Sequence, residues 1–300
     1  MVYSASTKPI PSRTPLPSSL DDATVLLIGG SSGIGLAAGL LLRSVGARIV
    51  LVGRDPGRLA AAVSRVGDVR PTSSAPASSD SAPASSDSAS SDPASSDPDS
   101  SASDGAFDGA SVLGVAGDGG DEATIAEAFD RAGQVDHVLV TAGGLTGVGA
   151  LTDLSADDIR TTVESRLWPA FAVARAAATR LPAGGSLTFS SGILVLRPLP
   201  GMTAPLSLVG AVETLTRALA VELAPARLRV NAVRYGRIDT PLLRSLPGHG
   251  SDDEIAAAGA AVPLGRFGTA SEAAATALFL MANNYVTGQI ITVDGGETLN

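Results

Sequence analysis

The stretch VLLIGGSSGIG, Val25 to Gly35, decides the fold. Val25, Leu26, Leu27 and Ile28 form an apolar run of strand length, of the kind covered on both faces. Gly29, Gly33 and Gly35 then remove side chains where a backbone must turn, approach a pyrophosphate and pack on a sheet. Ile34 to Ser44 reads as a helix whose first amides and dipole point at that anion. A glycine triplet alone is a weak signal. Strand, triplet, helix and a second strand at Arg48–Val52, in that order, predict a dinucleotide-binding turn.

Outward from this turn the chain keeps alternating. Strands are predicted at Ser111–Ala116, Val135–Thr141, Gly185–Ser190, Leu228–Val233 and Ile290–Val293. Helices are predicted at Pro56–Val66, Glu122–Ala132, Ala156–Arg180, Leu206–Leu223 and Ala270–Met281. Such alternation predicts a Rossmann-type, doubly wound α/β fold, its parallel sheet carrying helices on both faces. Thr240 to Pro263 breaks the rhythm and reads as an insertion over the substrate.

Two segments fall outside the folded unit. Residues 1–22, rich in Pro and Ser, read as a flexible tail without the apolar centre of a signal peptide. Residues 71–104 are almost wholly Pro, Ala, Ser and Asp and read as a disordered insertion into the single domain 23–300. It joins a helix to the next strand, an end of the sheet opposite the ligand face.

Bulk properties exclude several chemistries. The net charge of −9 includes six Asp of the insertion, leaving about −3 and no electrostatic case for nucleic acid or anionic membrane. With no cysteine and only His137 and His249, neither thiolate chemistry nor a metal centre is expected. No uninterrupted apolar run reaches membrane-spanning length, so a cytoplasmic protein without membrane partners is the expectation.

At this point the chain resembles the short-chain dehydrogenase/reductase superfamily, FabG-like type, over nearly all of Ala23 to Gly296. The matching pieces are IGGSSGIG (Ile28–Gly35), VLVGRD (Val50–Asp55), GDGGDE around Asp118, LVTAGG (Leu139–Gly144), SLTFSSG (Ser186–Gly192), RVNAVRYGRIDTP (Arg229–Pro241) and YVTGQIITVDGG (Tyr285–Gly296). The resemblance implies seven strands in one domain, a small-molecule substrate, and a homodimer or homotetramer joined through two long central helices. It implies that Gly29, Gly33 and Gly35, with the Ser31, Ser32 and Ile34 backbone, hold a pyrophosphate. Asp118 matches an adenine contact, Ala142 and Gly143 a wall beside the cofactor, and Ile238 and Thr240 the carboxamide contacts. Asp118 also reads as a helix N-cap before Glu122. At the end of the second strand, Gly53 stands where an NAD-selecting carboxylate belongs, and Arg54 offers a cation for a 2′-phosphate. NADP(H) is the expected cofactor.

The catalytic centre departs from the family's Ser-Tyr-Lys pattern. The helix APLSLVGAVETLTRALAVELA puts Pro205 at the Tyr position and Val209 at the Lys position. The only lysine is Lys8, in the tail. The Ser position survives as Ser191 or its neighbour Ser190, and the family's Asn position is Arg166. Arg166 cannot act as an acid, but as a cation it could steady ribose or a developing oxyanion. A surface arginine paired with Glu164 or a subunit partner is the competing reading. Tyr235 is the one phenol placed to face the nicotinamide, either as an acid or simply as packing. His137 reads as structural, His249 as a solvated lid residue, and Trp168 with Phe171 as core or interface packing.

Three functions follow from this reading. The first is an NADP(H)-dependent oxidoreductase acting on a carbonyl, enone or iminium. The second is a non-redox cyclase, dehydratase or isomerase that keeps NADP as a bound element. The third is a silent cofactor-binding subunit. Superfamily membership favours the first by association only.

Overall fold

The run that opens the chain's folded part is sealed on both faces. In the computed structural model, which describes residues 15–72, 111–144 and 146–299, β1 (Thr24–Ile28) is buried along its whole length. It pairs in parallel with β2 (Arg48–Gly53) on one side and β4 (His137–Val140) on the other. β3 (Val112–Ala116) extends the sheet beyond β2. Beyond β4 come β5 (Ser186–Gly192), β6 (Arg229–Tyr235) and β9 (Ile290–Val293), giving seven parallel strands in the order β3-β2-β1-β4-β5-β6-β9. The order reverses between β1 and β4, so the crevice for a ligand opens at their C-terminal tips.

Helices cover both faces. Helices α1 (Gly33–Ser44), α2 (Pro56–Gly67) and α8 (Ala270–Ala282) pack over one face, where Leu27, Leu42, Leu51 and Leu278 share a core. Helices α3 (Glu122–Ala132), α4 (Ala156–Arg180) and α5 (Thr203–Glu222) cover the other, around Ile28, Phe129, Val173 and Phe189. Elements begin where the sequence supplies caps: Asp55 accepts from the Arg58 amide and Ser155 forms a capping box with Asp158. α4 continues through Pro169, forfeiting one backbone bond. Arg229 closes α8 from below, donating to the carbonyls of Leu280 and Met281.

Several sequence boundaries move. α5 begins at Thr203, three residues before the predicted start, and β6 runs two residues further, to Tyr235. The expected tail is too long: Pro17–Leu20 form a 3-10 turn, and Leu20 is buried in the same core as α8. Residues 1–14, and all but the first two of the 71–104 insertion, lie outside the described residues. α5 is also long and apolar enough to cross a membrane by length and composition, contrary to the sequence expectation. Its face bearing Val209, Val212 and Leu215 is buried, the latter two in the opposite core with Phe129 and Phe189.

The insertion after β6 is a built substructure. β7 (Ile238–Asp239) pairs with β8 (Gly268–Thr269), and α6 (Pro241–Arg244) and α7 (Asp252–Gly259) lie between them. Arg244 staples them, bonding Asp239 through two nitrogens at 2.6 and 2.8 Å and pairing with Asp252 at 2.9 Å. His249 is not simply solvated: its ring stacks on Phe267, centroids 5.9 Å apart.

Candidate active site

The glycine turn is shaped by the strand tip beside it. Gly29 has φ +88°, and a β-carbon there would stand 2.7 Å from the Ala142 amide nitrogen. A β-carbon on Gly35 would meet the Gly29 carbonyl oxygen at 2.4 Å. Thr141 fastens the two tips by donating to the carbonyls of Ile28 and Gly29. Gly33, at φ +52°, faces Thr240 across the crevice. Ser32 occupies the N-cap of α1 without a side-chain bond to it, so the helix's leading amides are not capped by a hydroxyl. Ser31 and Ile34 line the same turn, half-buried. These residues fit a dinucleotide: close backbone approach, no side-chain obstruction and an electropositive helix end.

The tips of β2 and β3 are equally crowded. A β-carbon on Gly53 would lie 2.8 Å from Ser31 Oγ, which leaves little space for a carboxylate at that strand end. Arg54 beside it is exposed, with no partner among the described residues. Asp118 follows β3 at the sheet edge and accepts a bond from the Gly120 amide. It is not the cap of α3. Asp121 does that, accepting from the amide and the hydroxyl of Thr124. Across the crevice, Ile238 is buried, and Thr240 caps α6 while donating to the Ile238 carbonyl.

The catalytic candidates separate onto two faces of the sheet. Ser191 points toward α5 and donates to Glu213 Oε1 at 2.6 Å. Glu213 is buried and held by Arg234 through both oxygens, at 2.8 and 2.6 Å. Arg234 in turn donates to Thr292 on β9. Burial raises the Glu213 carboxyl, but the hydrogen bonds from Arg234 and Ser191 outweigh it and hold the group below its ordinary value. Ser191 therefore gives its proton to a carboxylate and has none to offer a carbonyl. Ser190, one residue away, stands on the opposite face with its Oγ buried and unpartnered.

Tyr235 corrects the sequence expectation of a phenol at the nicotinamide. It is buried among Val233, Ile238, Ala273 and Leu280, its hydroxyl has no partner, and burial pushes the phenol well above its usual range. An apolar enclosure makes it a poor proton donor. Of the two readings of Trp168, core packing fails: it is 43% exposed on α4, with its Nε1 donating to the Gly120 carbonyl.

Arg166 makes no ion pair with Glu164, one of the two partners of the competing reading, among the described residues. From α4 it reaches Gly143, where a β-carbon would stand 2.5 Å from Nη1. Gly143 has φ +146°, and its missing side chain is the space the guanidinium uses. Arg166 Nε is buried without a partner, and no ion pair to Arg166 is found among the described residues. Desolvation lowers its affinity for a proton, since nothing nearby compensates the charge.

Comparison with known proteins settles the ancestry. The family model described as enoyl-(acyl carrier protein) reductase matches residues 99–298, two thirds of the chain. The chain belongs to the short-chain dehydrogenase/reductase family. A rat 3-oxoacyl-[acyl-carrier-protein] reductase is 27% identical over 93% of this chain and 99% of its own. A short-chain dehydrogenase/reductase from Mycobacterium ulcerans superposes with a TM-score of 0.75 at 27% identity, over 94% of this chain and 91% of the other. The MalC reductase/Diels-Alderase from Malbranchea aurantiaca does so at 0.75 and 25%, over 95% and 99%. As in its relatives, this family member carries a Rossmann-type sheet; its α5 bears Pro205 and Val209, both buried, and no tyrosine or lysine.

Sequence reasoning missed Glu213 and Arg234. A signal was available: Glu213 lies four residues after Val209 on the buried face of α5, where a carboxylate demands a partner.

Proposed function

We propose that this chain is an NADP(H)-dependent oxidoreductase of the short-chain family, acting on an acceptor that needs little proton donation, such as an enone or iminium. The observation that carries this reading is Arg166, a half-buried guanidinium against Gly143 at the strand tips, with its Nε buried and unpartnered. Gly53 packed on Ser31, with Arg54 free beside it, supports a 2′-phosphate over a bare ribose. When bound, the nicotinamide supplies or accepts hydride.

The chain's own part is electrostatic. The glycine turn and α1 hold the diphosphate; Asp118, Ala142, Gly143, Ile238 and Thr240 border the rest. Arg166 places its N–H groups where negative charge develops on an enone oxygen as hydride arrives; an iminium, which becomes a neutral amine, calls for no such partner. Ser191, oriented by Glu213, presents lone pairs and positions a donor group of the substrate. Among the described residues neither Tyr235, enclosed in apolar side chains, nor Glu213, held by Arg234, is free to protonate an alkoxide, which favours activated acceptors over plain ketones. Trp168 and Phe171 on α4 and Val221 on α5, all exposed, support a homodimer or homotetramer through these helices.

A second reading is a non-redox reaction with NADP retained. The sealed Tyr235 and the likeness to a protein titled both reductase and Diels-Alderase favour it. The test is loss of NADPH absorbance across a panel of ketones, enones and iminium salts. Oxidation confined to the activated acceptors supports the first reading; tight NADPH binding with no oxidation anywhere overturns it in favour of the second.

A further inference from the structure

The hydroxyls of Thr141, Thr146, Thr162, Ser165 and Ser191, all near the strand tips or on α4, each have an acceptor for their proton. Ser191 donates to Glu213, Thr141 to the carbonyls of Ile28 and Gly29, and Thr162 to the Asp158 carbonyl. Ser165 donates to the Thr162 carbonyl, and Thr146 bonds Ser165 at 2.7 Å. Glu213, the only buried carboxylate among the described residues, is matched by Arg234. Arg166 is half-buried, its Nε is buried without a partner, and no carboxylate among the described residues pairs with it. A partly desolvated cation in that state gains from a ligand that brings an anionic acceptor.

The loops that leave the C-terminal ends of β4, β5 and β6 carry exposed apolar side chains. Val148 and Leu151 follow β4, Leu196 and Leu199 follow β5, and Leu242 and Leu264 belong to the insertion after β6. Each is half exposed or more, Leu264 at 71%. All emerge at the edge of the sheet where parallel strands end. The first two loops are tied together by the Gly149 amide on the Gly201 carbonyl, and Leu264 is tied to Gly295.

Building on the cofactor reading above, we propose that Arg166 and this rim form a subsite for an amphiphilic carboxylate. The guanidinium takes the two coplanar oxygens in a fork, a geometry that suits arginine and that an alcohol or ketone cannot match. The rim covers the apolar body. The substrate class is therefore a lipophilic acid, or a compound that passes through an enolate of the same shape.

Octanoate, octan-1-ol and acetate are the probes, titrated calorimetrically into the full-length protein saturated with NADP⁺. Octanoate is expected to bind about 10- to 100-fold more tightly than octan-1-ol, the scale of hydrogen bonds to a charged group. It is also expected to exceed acetate at least about tenfold through burial of its chain on the rim. Arg166→Ala and Arg166→Gln are to erase the preference over octan-1-ol, with Arg166→Lys recovering part of it. Equal binding of octanoate and octan-1-ol overturns the proposal, as does a preference that survives both substitutions. A loss of NADP⁺ affinity in these variants with no octanoate binding to the wild type assigns Arg166 to the nucleotide and also overturns it. Absence of NADP⁺ binding with octanoate discrimination intact sinks the cofactor reading alone.

Discussion

Tyr235 and Glu213 are both buried, and removing their polar groups has opposite consequences. Tyr235 puts its hydroxyl into an apolar pocket without a partner. Removing such a group is neutral or mildly stabilising, because an unsatisfied buried hydroxyl costs about 1–3 kcal/mol. Tyr235→Phe is therefore expected to leave turnover within about threefold of wild type and the melting temperature equal or higher; a loss of about 10²–10⁴ would restore the phenol as acid. Glu213 carries the opposite expectation. Glu213→Ala strands Arg234 in the interior and is expected to cost about 3–5 kcal/mol in urea unfolding. Its carboxyl lies below the ordinary 4.5 in the folded protein, chiefly because Arg234 and Ser191 bonds exceed the burial penalty. The stabilisation it gives is complete above the unfolded value and is lost as pH falls through the folded one. The gap in unfolding midpoint between wild type and Glu213→Gln should thus narrow below about pH 4.5 and be constant from pH 6 to 8.

At the scale of the element, the β1 turn and α1 act as one unit with the tip of β4. Gly35 has the Gly29 carbonyl at 2.4 Å from its missing β-carbon, so Gly35→Ala must move backbone rather than a flexible side chain. Overpacking of this kind costs about 1–3 kcal/mol, and the shift falls on the pyrophosphate turn. NADPH affinity measured by fluorescence is expected to fall at least as sharply as stability; an unchanged Kd would separate the turn from the nucleotide. Arg54, at the end of β2, is expected to discriminate between cofactors. Arg54→Ala should weaken NADPH by about 10- to 100-fold, the scale of a charged phosphate contact, with NADH unaffected. Both elements were legible in sequence because their signal is local: a short apolar run, glycines at fixed offsets and a helix start.

For the molecule as a whole, the segment between α2 and β3 enters at the edge of the sheet remote from the strand tips. Deleting residues 73–104 is expected to leave NADPH affinity within about twofold, since loop length changes closure entropy only slowly. A large loss would make that segment part of the site. The alternating strands and helices followed from periodicity, since each element announces itself within about ten residues; the seven-stranded sheet was implied by the family resemblance, and the strand order came only with the fold. Side-chain partners did not follow. Ser191, Glu213, Arg234 and Thr292 come from three strands and a helix spread over a hundred residues, and only the β5–β6 register sets Ser191 beside Arg234.

The amino-acid order alone determined that a nucleotide turn, a parallel sheet and an α5 without tyrosine or lysine belong to this chain. These are matters of composition, spacing and short-range backbone preference. Which hydroxyls keep a proton to give, and which cation lacks a counter-charge, was decided only by folding. Hydrogen bonding and desolvation depend on neighbours brought together across the sheet, as Gly143 is with Arg166 and Ser191 with Glu213.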